Sequence, residues 1–174
     1  MNPMPSPDSA TGPAASLAGL LEVPAERRDA LLEVIQVLDR ARDFVLTTHV
    51  NADGDGTGSQ TALAAWLRGR GKRVAITNPT PYPDRFRYLV PEGIDVVDPG
   101  PEQDARVRAA DLLVVLDTGE VKRIGKVAKG MREDAVVVLD HHQPSLDGIH
   151  GPGVRDPSAC ATGEIVYDLV LLAD

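Results

Sequence analysis

Short apolar runs alternate along this chain with polar segments and helix-patterned stretches, and that alternation leaves few folds open. Phe44-Val45-Leu46-Thr47 ends in the polar segment His49 to Ser59, and a helical stretch from Gln60 to Arg70, closed by Gly71, follows it. Lys72 to Thr77 reads as a second strand, stopped by Asn78-Pro79, and Ile94 to Val97 as a third. Asp111-Leu-Leu-Val-Val-Leu-Asp117 is a buried strand by composition and leads to a helix over Val121 to Lys129. Ala135 to Asp140 is a further strand that runs into His141-His142, and a last amphipathic helix starts near Thr162 with Ile165, Leu169 and Leu172 on one face. Ahead of them all, Pro24 suits the first position of a helix whose apolar stripe is Leu31, Ile35 and Leu38, flanked by Val34 and Ala41.

Such a series predicts an α/β fold, a doubly wound and mainly parallel sheet with helices on both faces. Residues 1–22, rich in Pro, Ser, Ala and Gly, read as a disordered lead-in, which leaves residues 23–174 as one domain. The sequence stops at Leu171-Leu-Ala-Asp174, inside an apolar helix with no cap, and so reads as a domain cut short at its C-terminus. With 43% hydrophobic residues but only 3% aromatic, the core must be aliphatic.

Charge and cysteine content narrow the chemistry. A net charge of −8 argues against a partner held by counterion release, such as a long duplex. A short anionic substrate held by metals and a few local cations remains compatible. The single cysteine, Cys160, rules out a disulfide within the chain and a cysteine-ligated zinc cluster. It reads as a small buried residue rather than a nucleophile. No run approaches the ~20 apolar residues of a membrane span, and Leu17 to Leu21 is too short for a signal peptide. A cytoplasmic protein with no membrane partner is the expectation.

In a parallel sheet, ligands gather at the carboxyl ends of the strands, and three of the four polar clusters fall there. His49, Asp53 and Asp55 place one imidazole and two carboxylates within seven residues, among glycines that let the backbone bend. Carboxylates suit hard divalent cations, and imidazole shifts the preference toward manganese, iron or zinc. An EF-hand would need a bidentate Glu where Ala62 stands, and a dinucleotide fingerprint would need an acidic residue where the second strand ends in Asn78-Pro79. Asp117 closes the most apolar strand. Asp140-His141-His142 follows another strand and has no packing purpose. Asp156 lies ahead of the last helix.

The ordered series His49-x-x-x-Asp53-x-Asp55, then Asp117, then Asp140-His141-His142, then Asp156 resembles the four motifs of the DHH phosphoesterases, a family that includes RecJ-type exonucleases. The Thr-His-x-Asn-x-Asp-Gly-Asp form and the Ser-Ala-x-Ala-Thr-Gly-Glu segment look most like its nanoRNase/pAp-phosphatase branch, from about residue 30 to the end. The resemblance implies two divalent ions, with His49, Asp53 and Asp117 holding one and Asp55, Asp117, His141 and Asp156 the other. Asp117 would bridge them. It implies manganese, although the donor set alone equally accepts zinc or iron. His142 would face the phosphate as a donor, and Asp140 would orient the neighbouring imidazoles. Lys122 and Arg123, and less directly Arg85 and Arg87, are candidate cations for substrate phosphates; His150 is assigned no role.

The implied activity is metal-dependent hydrolysis of short oligonucleotides or linear dinucleotides, with pAp as a mononucleotide substrate. A pyrophosphate- or polyphosphate-cleaving hydrolase and a non-catalytic nucleotide-binding module are the alternatives, and a homodimer is open. Relatives in this branch carry a second, smaller domain that grips the substrate, and nothing in this sequence corresponds to it.

Overall fold

The computed structural model describes residues 22–174, so the expected lead-in lies outside the described residues except for its last position. The elements are helix α1 (Ala25–Arg40), strand β1 (Asp43–Thr47), α2 (Gly54–Gly69), β2 (Arg73–Thr77), a 3-10 helix (Asp84–Leu89), β3 (Asp95–Val97), α3 (Pro101–Ala109), β4 (Leu112–Leu116), a second 3-10 helix (Gly125–Lys129), β5 (Val136–Asp140), β6 (Gly153–Arg155) and α4 (Thr162–Ala173). The six strands form one sheet in the order β3-β2-β1-β4-β5-β6. Every neighbouring pair is parallel, and Val45 of β1 lies between Ala75 and Leu113.

Side chains alternate across this sheet as strand geometry demands. Phe44, Leu46, Leu112, Val114, Leu116, Val137 and Leu139 face one side, where Leu31, Val34 and Leu38 of α1, Leu63 and Leu67 of α2, and Ile165 and Leu169 of α4 cover them. Val45, Leu113, Val115, Val136 and Val138 face the other, under Val107 of α3 and Ile124, Val127 and Ile149. Both faces of the sheet are thus covered, which is why the central strands read as unbroken apolar runs. Among the described residues no helix is long and apolar enough to cross a membrane.

Five elements differ from their sequence expectation. α2 begins at Gly54 rather than Gln60, so half of the polar segment is helix, because Asp53 caps it. α3 gives no apolar period, since only Gln103 and Val107 are buried. It rests instead on Pro101 in the first turn and on charges of the right sign at each end. The helix expected over Val121 to Lys129 is a turn followed by a short 3-10 segment, with Gly125 at φ +52° where they join. β6 is only three residues long, and a Cβ at Gly153 would lie 2.0 Å from the Val138 carbonyl oxygen, so the edge strand closes on β5 only with glycine there. Pro24 precedes the first helix rather than opening it.

The close seat of α2 on β1 can be tested. A Cβ at Gly56 would sit 2.5 Å from the Thr48 hydroxyl oxygen, in a buried contact. Alanine normally gains roughly 1 kcal/mol over glycine inside a helix, whereas overpacking costs about 1–3 kcal/mol. Gly56→Ala should therefore lower stability by up to about 2 kcal/mol net. Urea unfolding reads this as a shifted midpoint with an unchanged slope.

Candidate metal centre

From β1 the chain steps outward to β2 and β3, then returns to place β4 on the other side of β1. The loops after β1 and β4 diverge there, opening a crevice at the carboxyl end of the sheet. His49 follows β1 by two residues, Asp117 follows β4 directly, Asp140 ends β5 with His141 and His142 next, and Asp156 follows β6 directly. The fourth cluster therefore also sits at a strand end, on a strand too short to show in the sequence. All four clusters converge on one edge.

Buried polar contacts fix the first loop. Asn78, at the end of β2, accepts the Thr48 N–H at 3.1 Å and exchanges hydrogen bonds with Gln60 of α2. The Val50 N–H donates to the Arg123 carbonyl at 2.9 Å. The Asp53 carboxylate accepts the N–H groups of Asp55 and Gly56 at 3.0 and 3.1 Å, which starts α2. His49 Nδ1 lies 2.8 Å from the Val50 carbonyl oxygen, so Nδ1 is a donor, and in the neutral ring Nε2 then keeps a lone pair for the crevice.

Asp117 is the centre of the site. It is 2% exposed and sits at φ +62°, a left-handed conformation that non-glycine residues adopt at a cost. Its Oδ2 lies 3.3 Å from His49 Nε2, which is 3.8 Å from Asp53 Oδ1. Its Oδ1 lies 3.6 Å from His141 Nε2 and 3.7 Å from His142 Nδ1. His141 Nε2 is also 3.5 Å from Asp55 Oδ2. One carboxylate oxygen therefore faces each half of the crevice. Ligand-type atoms of His49, Asp53 and Asp117, and again those of Asp117, His141 and His142, lie within 4.8 Å of one another.

The electrostatics fit a cation. Burial pushes the Asp117 carboxyl above the usual carboxylate range, the His49 contact opposes this, and the nearby Asp55 and Asp53 charges push it further up. The bond to Asp117 raises the His49 imidazole against its own burial. Among the described residues, Asp53, Asp55 and Asp117 have histidine nitrogens within 4.0 Å and no lysine or arginine in a salt bridge with them. Three carboxylates with no lysine or arginine partner, interleaved with imidazoles, make a donor set suited to divalent metal.

The remaining expected residues separate into two groups. Asp140 Oδ1 accepts from the His142 backbone N–H at 3.1 Å and lies 2.8 Å from His142 Nδ1, so it orients that ring. Arg123 is half-buried beside His142, Asp140 and Arg155 around a small cavity. Its charge acts on both His49 and Asp53. Asp156 is held by Arg27 Nε at 2.8 Å and by the backbone N–H and hydroxyl of Ser158 at 2.9 and 2.5 Å, outside both close-packed groups. Lys122 pairs with Asp147 on the surface, Arg87 with Asp84, and the Arg85 guanidinium lies over the Phe86 ring. His150 is exposed. Cys160 is exposed too, not buried, because its loop turns outward to let its N–H donate to Glu164 at 2.8 Å.

Sequence reasoning missed four contributors: Arg27, Gln60, Asn78 and Thr162. Arg27 carried a usable signal, since it stands one turn before Leu31, Val34 and Leu38 on the buried stripe of α1. Gln60 likewise lies on the buried face of α2.

A profile of the DHH family, N-terminal domain, matches residues 43–174. A curated relative, the bifunctional oligoribonuclease and PAP phosphatase NrnA of Thermus thermophilus, is 30% identical over 147 residues, which is 83% of this chain and 41% of that protein. The chain thus spans about two fifths of that relative's length. Among solved structures, an exopolyphosphatase-related protein from Bacteroides fragilis superposes with TM-score 0.73 at 24% identity, covering 84% of this chain and 44% of the other. Exonuclease RecJ bound to manganese superposes with TM-score 0.52 at 19% identity, covering 88% of this chain and 38% of the other. At these identities the two structures share the fold.

Proposed function

This chain belongs to the DHH family, and from that membership we propose that it carries a two-metal site for phosphoester hydrolysis, acting on short oligonucleotides or linear dinucleotides and on pAp. The observation that carries the reading is the position of Asp117, with Oδ2 toward His49 and Oδ1 toward His141. His49, Asp53 and Asp117 would hold one ion, and Asp55, Asp117 and His141 the other, which Asp156 would join by turning out of its contacts with Arg27 and Ser158. Manganese is the metal we assign, supported by the manganese-bound RecJ structure of the same fold. When bound, two such ions neutralise phosphoryl oxygens and make water acidic enough to yield hydroxide near neutral pH.

The chain's own groups do the rest. His49 offers Nε2 because its Nδ1–H is committed to the Val50 carbonyl. His142, fixed through Nδ1 by Asp140, would meet the phosphate with its other ring nitrogen, which donates when the ring carries both protons. Arg123, beside it, supplies the cation for a second phosphate oxygen; Lys122 is drawn away by Asp147. Replacing Arg123 by Ala should raise KM for a dinucleotide about 10–100-fold, since one charge-assisted hydrogen bond contributes roughly 1.5–3 kcal/mol. Steady-state kinetics checks this, and an unchanged KM removes Arg123 from the substrate.

The oligonucleotide assignment is supported by the name of the 30%-identical relative. A phosphoanhydride-cleaving hydrolase is the second reading, favoured by the exopolyphosphatase-related neighbour. Incubating the chain with an RNA dinucleotide, pAp and tripolyphosphate in turn, each with manganese, separates them. We expect cleavage of the first two. Cleavage of tripolyphosphate with both nucleotides left intact would transfer the assignment to the second reading.

Metal uptake should depend on pH in a definite direction. Histidine binds metal only when neutral, and the His49 imidazole is raised above its ordinary value of about 6.5. Protons therefore compete from above that pH, and manganese affinity should fall as pH drops from 8 to about 5.5. Titration at several pH values checks this; affinity that is flat over that range contradicts imidazole ligation.

A further inference from the structure

We propose that Thr162 is a positioning residue of the metal centre, its hydroxyl and backbone N–H holding Asp117 and Asp55 in a single arrangement; this rests on the two-metal reading above. Thr162 is fully buried at the start of α4. Its hydroxyl donates to Asp117 Oδ1 at 3.1 Å, and its N–H donates to Asp55 Oδ2 at 2.8 Å. The Gly163 N–H donates to Asp55 Oδ1 at 2.9 Å. One residue thus touches two of the carboxylates, which come from different elements.

The local chemistry explains why this falls to Thr162. The first turn of a helix has N–H groups without partners inside it. Ala161, just before α4, offers no side chain to accept them. Asp55, at the start of α2, accepts two of them instead, so capping α4 and aiming Asp55 are the same contact. A threonine hydroxyl deeper in a helix often turns back to the carbonyl four residues earlier. In the first turn that helical acceptor is lacking, and the hydroxyl goes to Asp117. The branched Cβ limits its rotamers, so the donor stays aimed.

The seat of α4 is fixed from behind. Arg27 Nη1 donates to both Glu164 and Asp168 of α4 at 2.8 Å, and Arg27 itself is 3% exposed. The path runs from α1 through Arg27 to α4, and through Thr162 to Asp55 and Asp117. A neutral hydroxyl suits this place: it orients Oδ1 without cancelling the charge that a cation needs, as a lysine would.

The test compares Thr162→Val and Thr162→Ser in the full chain. Manganese affinity is read from the free-ion electron paramagnetic resonance signal, and metal-free stability from thermal melting. Partners that orient a ligand typically contribute 10–100-fold in metal affinity, so Thr162→Val should weaken manganese binding at least about tenfold. Thr162→Ser, which keeps the donor, should stay within about threefold. Thr162→Ala removes the same donor with less bulk and carries the Val expectation should Val fail to fold. Binding by Val and Ala variants at the level of the unsubstituted chain overturns the proposal. Equal losses in Ser and Val overturn it too, since the methyl or the backbone would then be responsible. If the unsubstituted chain binds no manganese, the metal reading itself fails, an outcome distinct from both.

Discussion

Asp117→Asn should abolish manganese-dependent hydrolysis, by about a thousandfold or more, while the metal-free protein melts at the same or a higher temperature. The loss follows from position: the same carboxylate faces both halves of the site, so its replacement affects both proposed ions. Metal stabilisation of a phosphoryl transition state is worth several kcal/mol, and each 1.36 kcal/mol is tenfold in rate. The stability half follows from electrostatics. Burial and the Asp55 and Asp53 charges raise the Asp117 carboxyl. A group raised in the folded state contributes stability below its unfolded value and loses it as pH rises through the folded one. At neutral pH and without metal, ionised Asp117 therefore opposes folding, and asparagine removes that charge. Asparagine also accepts the left-handed backbone at φ +62° more readily than most residues. Calorimetry without metal, beside turnover with it, checks both halves. A large drop in melting temperature, or retained turnover, contradicts the role given to Asp117.

Removing the buried guanidinium of Arg27 should have the largest effect on stability. It pairs with Asp156, Glu164 and Asp168, each at 2.8 Å, and joins α1 to α4 and to the loop after β6. Asp168 is the costly partner, since its side chain is 8% exposed and its carboxyl is already raised by burial. Breaking a buried pair from one side typically costs about 3–5 kcal/mol, because the remaining charge is left uncompensated. Arg27→Met should therefore lose about that much in urea unfolding, a large share of the ~5–15 kcal/mol that holds a domain folded. The double variant Arg27→Met/Asp168→Leu should recover much of the loss, since apolar replacement of a buried pair is often neutral. A cost below about 1 kcal/mol for the single variant would mean a solvated pair.

Much of this arrangement was legible in the sequence, and the rest was hidden for definite reasons. β1, β4 and β5 are buried on both faces, so their apolar runs announce them, and the polar residues at their ends mark the site. The start of α2 was obscured because Gly54, Gly56 and Gly58 weaken any helical signal; the Asp53 cap and the close Thr48 contact override propensity there. β6 has three residues, too few for a period, so the sequence places Asp156 only as lying ahead of the last helix. α3 hides because it packs mainly through Val107 and Gln103. Arg27 and Thr162 act through distant partners: Arg27 reaches Asp168 at a separation of 141 positions and Thr162 reaches Asp55 at 107. No local pattern encodes contacts of that span.

The centre around Asp117 is tested most directly by counting bound manganese, titrated into the chain at pH 8 and again into Asp117→Asn. Two ions sharing a bridging carboxylate predict about two manganese per chain, and weakened binding of both in the variant. A chain that binds no manganese, or one whose binding is untouched by the substitution, would contradict the account.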